Sequence, residues 1–293
     1  NVWKVKAAGG ALYAQGNVSL KACRVVKNSA YFTGQSIEDS NTYGGAVFLN
    51  GAGSASISDC YFDSNYSHSS YGNGVGGAVY VKNATVQNCE FIDCVGEDAG
   101  GAIYGDKATI SNCTFTRCYA GSGGAIFNSG GMVSGATVSD CSGLKGGGIF
   151  NTGTIKHAKI YNCYADAEDF GPDMGGQGGG IFNLEGNVMG SVVYNNYSFR
   201  GAGIYLCGGK IVNCTVQNNK LRNDADTANI GFFAQKQELK ANVLNTIGNP
   251  NAAASNFVKP STFTGVATNA TDSLSLSTMN WSLAAGSEFI DAG

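Results

Sequence analysis

The sequence predicts an all-β fold, a right-handed parallel β-helix that forms a single-stranded solenoid of about nine coils with a C-terminal capping segment. Three observations predict it: a glycine-rich block recurs along the chain, no segment has helical periodicity, and similar side chains recur at equivalent positions of the repeat. Composition agrees, because 44 glycines against 3 prolines indicate many tight bends, and charged residues are only 13% of the chain.

Each repeat opens with glycine, followed by small residues, an aliphatic residue and an aromatic residue. The blocks begin at Gly9, Gly44, Gly76, Gly100, Gly123, Gly146, Gly178 and Gly201, with a degenerate ninth copy from Ile230 to Phe233. The shortest spacing, as between Gly100 and Gly123, is 23 residues. A coil this short buries its inner face only against its neighbours, so successive coils pair in parallel about 4.8 Å apart. The usual crossover chirality predicts a right-handed path.

Stacking turns equivalent positions into columns of shared chemical character. The aliphatic column is Leu12, Val47, Val79, Ile103, Ile126, Ile149, Ile181 and Ile204. The aromatic column, one residue further on, is Tyr13, Phe48, Tyr80, Tyr104, Phe127, Phe150, Phe182 and Tyr205. Because alternate residues of a strand face opposite sides, we expect the aliphatic column inside and the aromatic column outside. The reverse assignment, with the rings in the core, stays open.

Eight of the ten cysteines form two further columns. Cys23, Cys60, Cys89 and Cys113 make up the first, and Cys94, Cys118, Cys141 and Cys163 make up the second. Neighbours one coil apart point the same way, which suits neither a disulfide nor a tetrahedral metal site. Elsewhere these columns hold asparagine, alanine or serine, as at Asn65, Ala136 and Ser191, so we expect buried free thiols and no metal site.

The repeat places the β-helix in residues 1–247 and a C-terminal cap or tail in residues 248–293. We expect apolar side chains of the tail to cover the open last coil: Trp281, Leu283, Phe289 and Ile290. A net charge of -3 without a basic run argues against a nucleic-acid partner, and no apolar stretch is long enough to span a membrane. Since the sequence starts at Asn1, removal of a signal peptide or anchoring segment stays open.

The Gly-Gly-Ala-Ile blocks alternate with Phe-x-x-Asn, as in Phe62 to Asn65, or with Phe-x-x-Cys, as in Phe91 to Cys94. This alternation resembles the repeats of polymorphic outer membrane proteins, which are bacterial β-helix passenger domains with adhesive roles. The ending from Trp281 to Gly293 resembles the tail of surface β-helix proteins of gut Bacteroidetes. The resemblance implies a secreted or cell-surface bacterial protein, extracellular or associated with the outer membrane.

Insertions into the repeat predict where a ligand binds. The coils that start at Gly9, Gly44, Gly146 and Gly201 are longer than the unit, and we place all their insertions at the corner before the next glycine block. The compact coils between them would form a saddle. Its first wall would carry Tyr31, Phe32, Tyr43, Tyr66, His68 and Tyr71. Its second wall would carry Asp166, Glu168, Asp169 and Asp173, and its floor would carry Glu97, Asp98, Tyr119 and Lys145.

Aromatic side chains with a few polar groups suit sugar rings, and loops on a rigid scaffold often carry binding residues. Two alternatives stay open for the walls. The aromatic loops could pack down on the scaffold, and the acidic loop from Asp166 to Asp173 is either a solvated loop or a Ca²⁺ site, although it lacks the regular spacing of a known calcium motif. No other cofactor is expected.

The sequence therefore predicts a non-catalytic surface, adhesin-like or glycan-binding, whose partner is a polysaccharide or a host or community surface ligand. The alternative is a polysaccharide lyase or glycoside hydrolase for an acidic polysaccharide, with Lys145 or Tyr119 as the base. The Asn-Thr-Asp, Asp-Asp and Gly-His-Gly motifs of polygalacturonase-like enzymes do not occur in the sequence, which favours binding without turnover.

Overall fold

A computed structural model describes residues 7–33, 41–51, 53–70, 72–166 and 176–222, and the backbone of Phe232–Ala234, Val243–Leu244 and Ile247–Gly248. In this part of the chain nine coils stack on one another, and the strands of neighbouring coils pair in parallel. The all-β solenoid predicted from the repeat is thereby confirmed. The side chains proposed as a cap lie outside the described residues.

Four long sheets run along the stack, numbered here in the order in which the chain meets them. Sheet 1 contains Leu12–Gln15, Val47–Asn50, Val79–Lys82, Ile103–Asp106, Ile126–Ser129, Ile149–Asn151, Ile181–Asn183, Ile204–Leu206 and Phe232–Ala234. Sheet 2 contains Ser19–Lys21, Ser56–Ser58, Thr85–Gln87, Thr109–Ser111, Met132–Ser134, Thr154–Lys156, Asn187–Met189, Lys210–Val212 and Val243–Leu244.

The chain continues from sheet 2 into sheets 3 and 4. Sheet 3 contains Arg24–Val26, Tyr61–Asp63, Glu90–Ile92, Thr114–Thr116, Thr137–Ser139, Lys159–Tyr161, Val192–Tyr194, Thr215–Gln217 and Ile247–Gly248. Sheet 4 contains Ser29–Phe32, Tyr66–Ser69, Val95–Gly96, Tyr119–Ser122, Ser142–Lys145, Tyr164–Ala165, Tyr197–Ser198 and Lys220–Leu221. A short sheet 5 of Ala7–Ala8, Thr42–Tyr43 and Gly74–Val75 precedes the glycine block in the first coils.

The core lies inside the coils, as the aliphatic column predicts. From Val47 to Ile204 the members of that column are at most 1% exposed, and Leu12 of the first coil is partly exposed. Sheet 3 adds three phenylalanine rings, Phe62, Phe91 and Phe115, which stack inside the coils with centroids 4.8 and 4.9 Å apart.

Each coil turns at residues in the left-handed backbone region, which asparagine, aspartate and glycine adopt at little cost. Between sheets 2 and 3 this residue is Ala22, Asp59, Asn88, Asn112, Gly135, His157, Gly190 or Asn213, with φ between 50° and 63°. The first glycine of the repeat block also adopts the left-handed conformation, at the corner before sheet 1, as at Gly100 (φ 66°). The second residue of the block must lack a side chain at Gly101, because a Cβ there would overlap the carbonyl oxygen of Gly124.

The first cysteine column occupies the residues just after the corner between sheets 2 and 3, and the second occupies those just after a similar corner between sheets 3 and 4. All ten cysteines are free thiols, and the members of both columns are buried apart from the partly exposed Cys23. Sγ of Cys60 accepts a hydrogen bond from the N–H of Cys23 at 3.4 Å, and Oδ1 of Asn65 accepts one from the N–H of Asn28 at 3.0 Å. At several of these positions the side chain is therefore small and also accepts a hydrogen bond from a backbone N–H of the preceding coil, as Cys60 and Asn65 do. Burial raises the pKa of Cys60 to about 11.

The prediction that all insertions lie at one corner is wrong for the coil that starts at Gly44. Its sheet 2 strand begins at Ser56, nine residues after Val47, whereas in the next coil Thr85 follows Val79 by six. This coil therefore also lengthens the turn between sheets 1 and 2. The register needed to locate the extra residues comes from strand pairing rather than from the spacing of the glycine blocks.

Candidate functional site

The aromatic column of sheet 1 lies outside the coils, as predicted. Its eight rings stack face to face from Tyr13 to Tyr205, with neighbouring centroids 4.5 to 5.4 Å apart and planes within 18° of parallel. Exposure falls along the stack from 55% at Tyr13 to 4% at Tyr205. Each interior ring has both faces covered by its neighbours, so this aromatic ladder presents ring edges to solvent.

A cleft of about 560 Å³ lies beside the middle of the aromatic ladder. The residues directly before the glycine blocks pair from coil to coil, and three of them are small here: Val75, Ala99 and Ser122. Tyr80, Tyr104 and Phe127 of the ladder and Asn41, Asn73 and Asp98 also line the cleft. Tyr43 lines it too, with its ring nearly perpendicular to the ladder rings Phe48 and Tyr80.

Sheet 4 carries a second outward column of tyrosines, and this column is interrupted. Its order along the stack is Tyr66, Val95, Tyr119, Ser142, Tyr164 and Tyr197. Tyr119 and Tyr164 are 43% and 47% exposed, and Ser142 between them is buried. Two coils separate these tyrosines, about 9.6 Å along the axis. Since the side chain between them is a serine, no ring of the described part of this column lies between the two tyrosines.

Four of the predicted site residues form one cluster at the N-terminal end of sheet 4. The hydroxyl of Tyr66 donates a hydrogen bond of 2.6 Å to Oε1 of Glu97, and Nδ1 of His68 contacts the same oxygen. Tyr31 stacks on the imidazole of His68 with centroids 4.6 Å apart. Burial and the hydrogen bond to Glu97 raise the pKa of Tyr66 above its usual range.

Asp98 is adjacent to Glu97 in sequence but has different contacts. Its Oδ2 accepts a hydrogen bond of 2.5 Å from the backbone N–H of Gly74, and its side chain lines the cleft. Partial desolvation and the nearby charge of Glu97 raise the pKa of Asp98. The predicted saddle floor is therefore divided between the cleft and the outer face of sheet 4.

The remaining predicted residues lie further along the stack. The ammonium of Lys145 lies 5.9 Å from the ring centroid of Phe182, at the covered end of the aromatic ladder. Asp166 forms an ion pair of 2.6 Å with Arg222. Tyr71, Glu168, Asp169 and Asp173, and with them most of the proposed Ca²⁺ loop, lie outside the described residues. Within the described ranges no three histidine, cysteine, aspartate or glutamate side chains are placed to hold a metal ion.

Sequence reasoning missed two residues of this surface, Tyr164 and Ser70. Tyr164 directly follows Cys163 of the second cysteine column, as Tyr119 directly follows Cys118 two coils earlier, so that signal was available. Ser70 lies two residues after His68, and its Oγ is 3.3 Å from Nε2 of that histidine. The sequence indicates that Ser70 and His68 could lie close together, but only the structure shows that Nε2 of the imidazole is directed at Oγ of Ser70.

The family model described as the right handed beta helix region matches residues 45–221, which is more than half of the chain. The match confirms the predicted handedness. No curated protein and no solved structure matches the sequence. Among the described residues there is no helix with the length and hydropathy needed to cross a membrane.

Proposed function

We propose that this chain, which belongs to the right-handed β-helix family, binds a linear polysaccharide along the outer face of sheet 4 without cleaving its glycosidic bonds. The observation that carries the proposal is the gap at Ser142, on either side of which the exposed tyrosines Tyr119 and Tyr164 occupy the same outward column. The apolar faces of sugar rings pack on aromatic faces, so the gap offers two faces to one sugar ring.

The rest of the face suits the same ligand. Gly121, Leu144 and Asp166 occupy successive coils of the neighbouring outward column, which leaves the central coils free of long charged side chains. Sugar hydroxyls can bond to the hydroxyls of the two exposed tyrosines. A polysaccharide of a cell surface or of the surrounding medium has such rings and hydroxyls. Binding to it is consistent with a secreted or cell-surface bacterial protein of adhesin-like role.

A lyase or hydrolase for an acidic polysaccharide is the second candidate, and one observation favours it. Asp98 has a raised pKa and lies in a cleft with three tyrosines, an environment that suits a general acid. The two bases that the sequence suggests suit the role less well, because Lys145 lies 5.9 Å from the ring centroid of Phe182 and Tyr119 is on sheet 4, outside the residues that line the cleft. If this candidate is right, unsaturated products or new reducing ends appear, and Asp98→Asn abolishes them.

Affinity gel electrophoresis with neutral and acidic polysaccharides in the gel tests the binding proposal. We expect retardation by at least one polysaccharide, with loss of retardation in Tyr119→Ala and Tyr164→Ala. Tyr13→Ala is the matched control, because Tyr13 is a tyrosine of sheet 1 that is at least as exposed as Tyr119 and Tyr164. Equal retardation of all three variants, or no retardation together with no attachment of protein-coated beads to cells, would contradict the proposal.

A further inference from the structure

Three side chains of the sheet 4 cluster form a chain of polar contacts that the polysaccharide proposal does not use. Oγ of Ser70 lies 3.3 Å from Nε2 of His68. Nδ1 of the same ring contacts Oε1 of Glu97 and has no other partner among the described residues. A hydroxyl, an imidazole and a carboxylate in this order are the arrangement by which a base activates a serine nucleophile.

The fold places each of the three groups. His68 lies in the strand Tyr66–Ser69 and Ser70 directly follows that strand, where its Oγ lies 3.3 Å from Nε2 of His68. Glu97 occupies the equivalent position of the next coil, because Ser67 pairs with Gly96. The ring of Tyr31 stacks on the imidazole from the preceding coil and holds its plane.

Burial and exposure fit the roles of an activated serine. The side chain of His68 is mostly buried, whereas Ser70 is exposed at the surface, where a substrate can reach it. Tyr66 donates its hydroxyl hydrogen to Glu97, which keeps the carboxylate an acceptor oriented toward the imidazole. With Nδ1 directed at the carboxylate, Nε2 is the ring nitrogen that faces the hydroxyl of Ser70 and can accept its proton.

We propose that Ser70, His68 and Glu97 are an acyl-transfer site that hydrolyses O-acyl esters. Oγ of Ser70 attacks the ester carbonyl and its proton passes to Nε2 of His68, which returns the proton to the alcohol oxygen as the ester C–O bond breaks. Water then attacks the acyl-enzyme with His68 as base, the carboxylic acid leaves, and the proton returns to Ser70. Ser70 and His68 are the catalytic residues, and Glu97 is a positioning residue.

The backbone around Ser70 determines how fast this site works. The N–H of Ser70 donates to the carbonyl of Phe32, and the N–H of Gly72 donates to Oγ of Ser69. Neither is free to stabilise an oxyanion, and each missing oxyanion donor lowers turnover by about 100-fold or more. We therefore expect acylation of Ser70 to be easier to detect than multiple turnovers.

A fluorophosphonate probe and p-nitrophenyl acetate test the site on the intact chain. In the probe reaction the bond from Ser70 to phosphorus forms, the phosphorus–fluorine bond breaks, and the serine proton leaves through His68. Peptide mass spectrometry should find the phosphonate on Ser70, and the ester should give a burst of nitrophenolate. Ser70→Ala should remove both, while Ser19→Ala, at a serine on sheet 2, should change neither.

The partner residues have their own expected results. His68→Gln should slow labelling of Ser70 by about 100-fold or more, since it removes the base. Glu97→Gln should slow labelling, and Glu97→Asp should restore part of the rate, which a merely structural role would not do. Labelling of Ser70 no faster than that of Ser19, or an unchanged rate in His68→Gln, would overturn the proposal. The polysaccharide retardation assay is separate, because it depends on Tyr119 and Tyr164.

Discussion

Sheet 1 and sheet 4 both carry tyrosines on their outer faces, but the two columns differ in continuity. On sheet 1 every described coil from Tyr13 to Tyr205 contributes a ring, and the rings cover one another. On sheet 4 a serine separates Tyr119 from Tyr164, and both rings keep large exposed areas. The same residue type therefore stabilises the solenoid on one face and is available to a ligand on the other.

The comparison teaches that an aromatic side chain is available for binding only where its stack is broken. Stacked neighbours gain packing energy from their faces, and a ligand cannot use a face that is already covered. A continuous column in a β-solenoid thus indicates stabilisation. An interruption by a small residue, as at Ser142, indicates a surface open to a flat ligand.

Removing a ring from the continuous column should have the largest effect. Phe150 is buried, and its ring stacks on Phe127 at 4.5 Å and on Phe182 at 4.9 Å. We expect Phe150→Ala to lower the free energy of unfolding by about 3 kcal/mol, measured by urea denaturation, because it leaves a cavity within the stack. Phe150→Tyr is the control, since tyrosine occupies this column in other coils. A loss below about 1 kcal/mol would contradict a stabilising role.

Removing a ring from the interrupted column should affect binding instead. Tyr119→Ala and Tyr164→Ala should each weaken affinity for the retarding polysaccharide by about 1 kcal/mol, or about fivefold, as measured by isothermal titration calorimetry. Their free energies of unfolding should change by less than about 0.5 kcal/mol, because both side chains are exposed. Loss of stability without loss of affinity would reverse the assigned roles of the two sheets.

The smallest effect is expected at the exposed end of the aromatic ladder. Tyr13 has the ring of Phe48 on one side at 4.8 Å and is otherwise 55% exposed. Tyr13→Ala should lower the free energy of unfolding by no more than about 1 kcal/mol and leave polysaccharide affinity unchanged. A loss as large as that of Phe150→Ala would mean that stacking strength does not depend on position in the column.

Much of the fold could be predicted because each coil repeats the pattern of inward, outward and corner residues of the coil before it. The alternation of Ile126 with Phe127 gives the inner and outer faces, and the recurrence of cysteine, as at Cys94 and Cys118, locates the corners. The lengthened turn before Ser56 could not be assigned, because the spacing of glycine blocks does not tell which corner holds the extra residues.

The candidate site was predictable in part. Tyr31, Tyr66, His68 and Glu97 meet because they share one face of sheet 4, whereas Asp98, next to Glu97 in sequence, bonds to Gly74 and lines the cleft. The strand of this coil ends at Gly96, so the strand pattern does not predict that Asp98 bonds to Gly74 and lines the cleft.

The pairing of Asp166 with Arg222 was not foreseen for a similar reason. The two residues are 56 positions apart in the chain, and they meet only when the register of three successive coils is known. The same register is needed to see that Arg222 also lies 4.9 Å from the ring centroid of Phe199.

The central claim is that the gap above Ser142, rather than the number of tyrosines, creates the binding surface, and Ser142→Tyr tests it most directly. The fold accommodates the new ring, because tyrosines already occupy neighbouring coils at Tyr164 and Tyr197. In a calorimetric titration with the retarding polysaccharide, we predict that Ser142→Tyr weakens affinity about tenfold or more without lowering the midpoint of urea denaturation, while Ser142→Ala binds as the natural chain does. Equal or tighter binding by Ser142→Tyr would contradict the account.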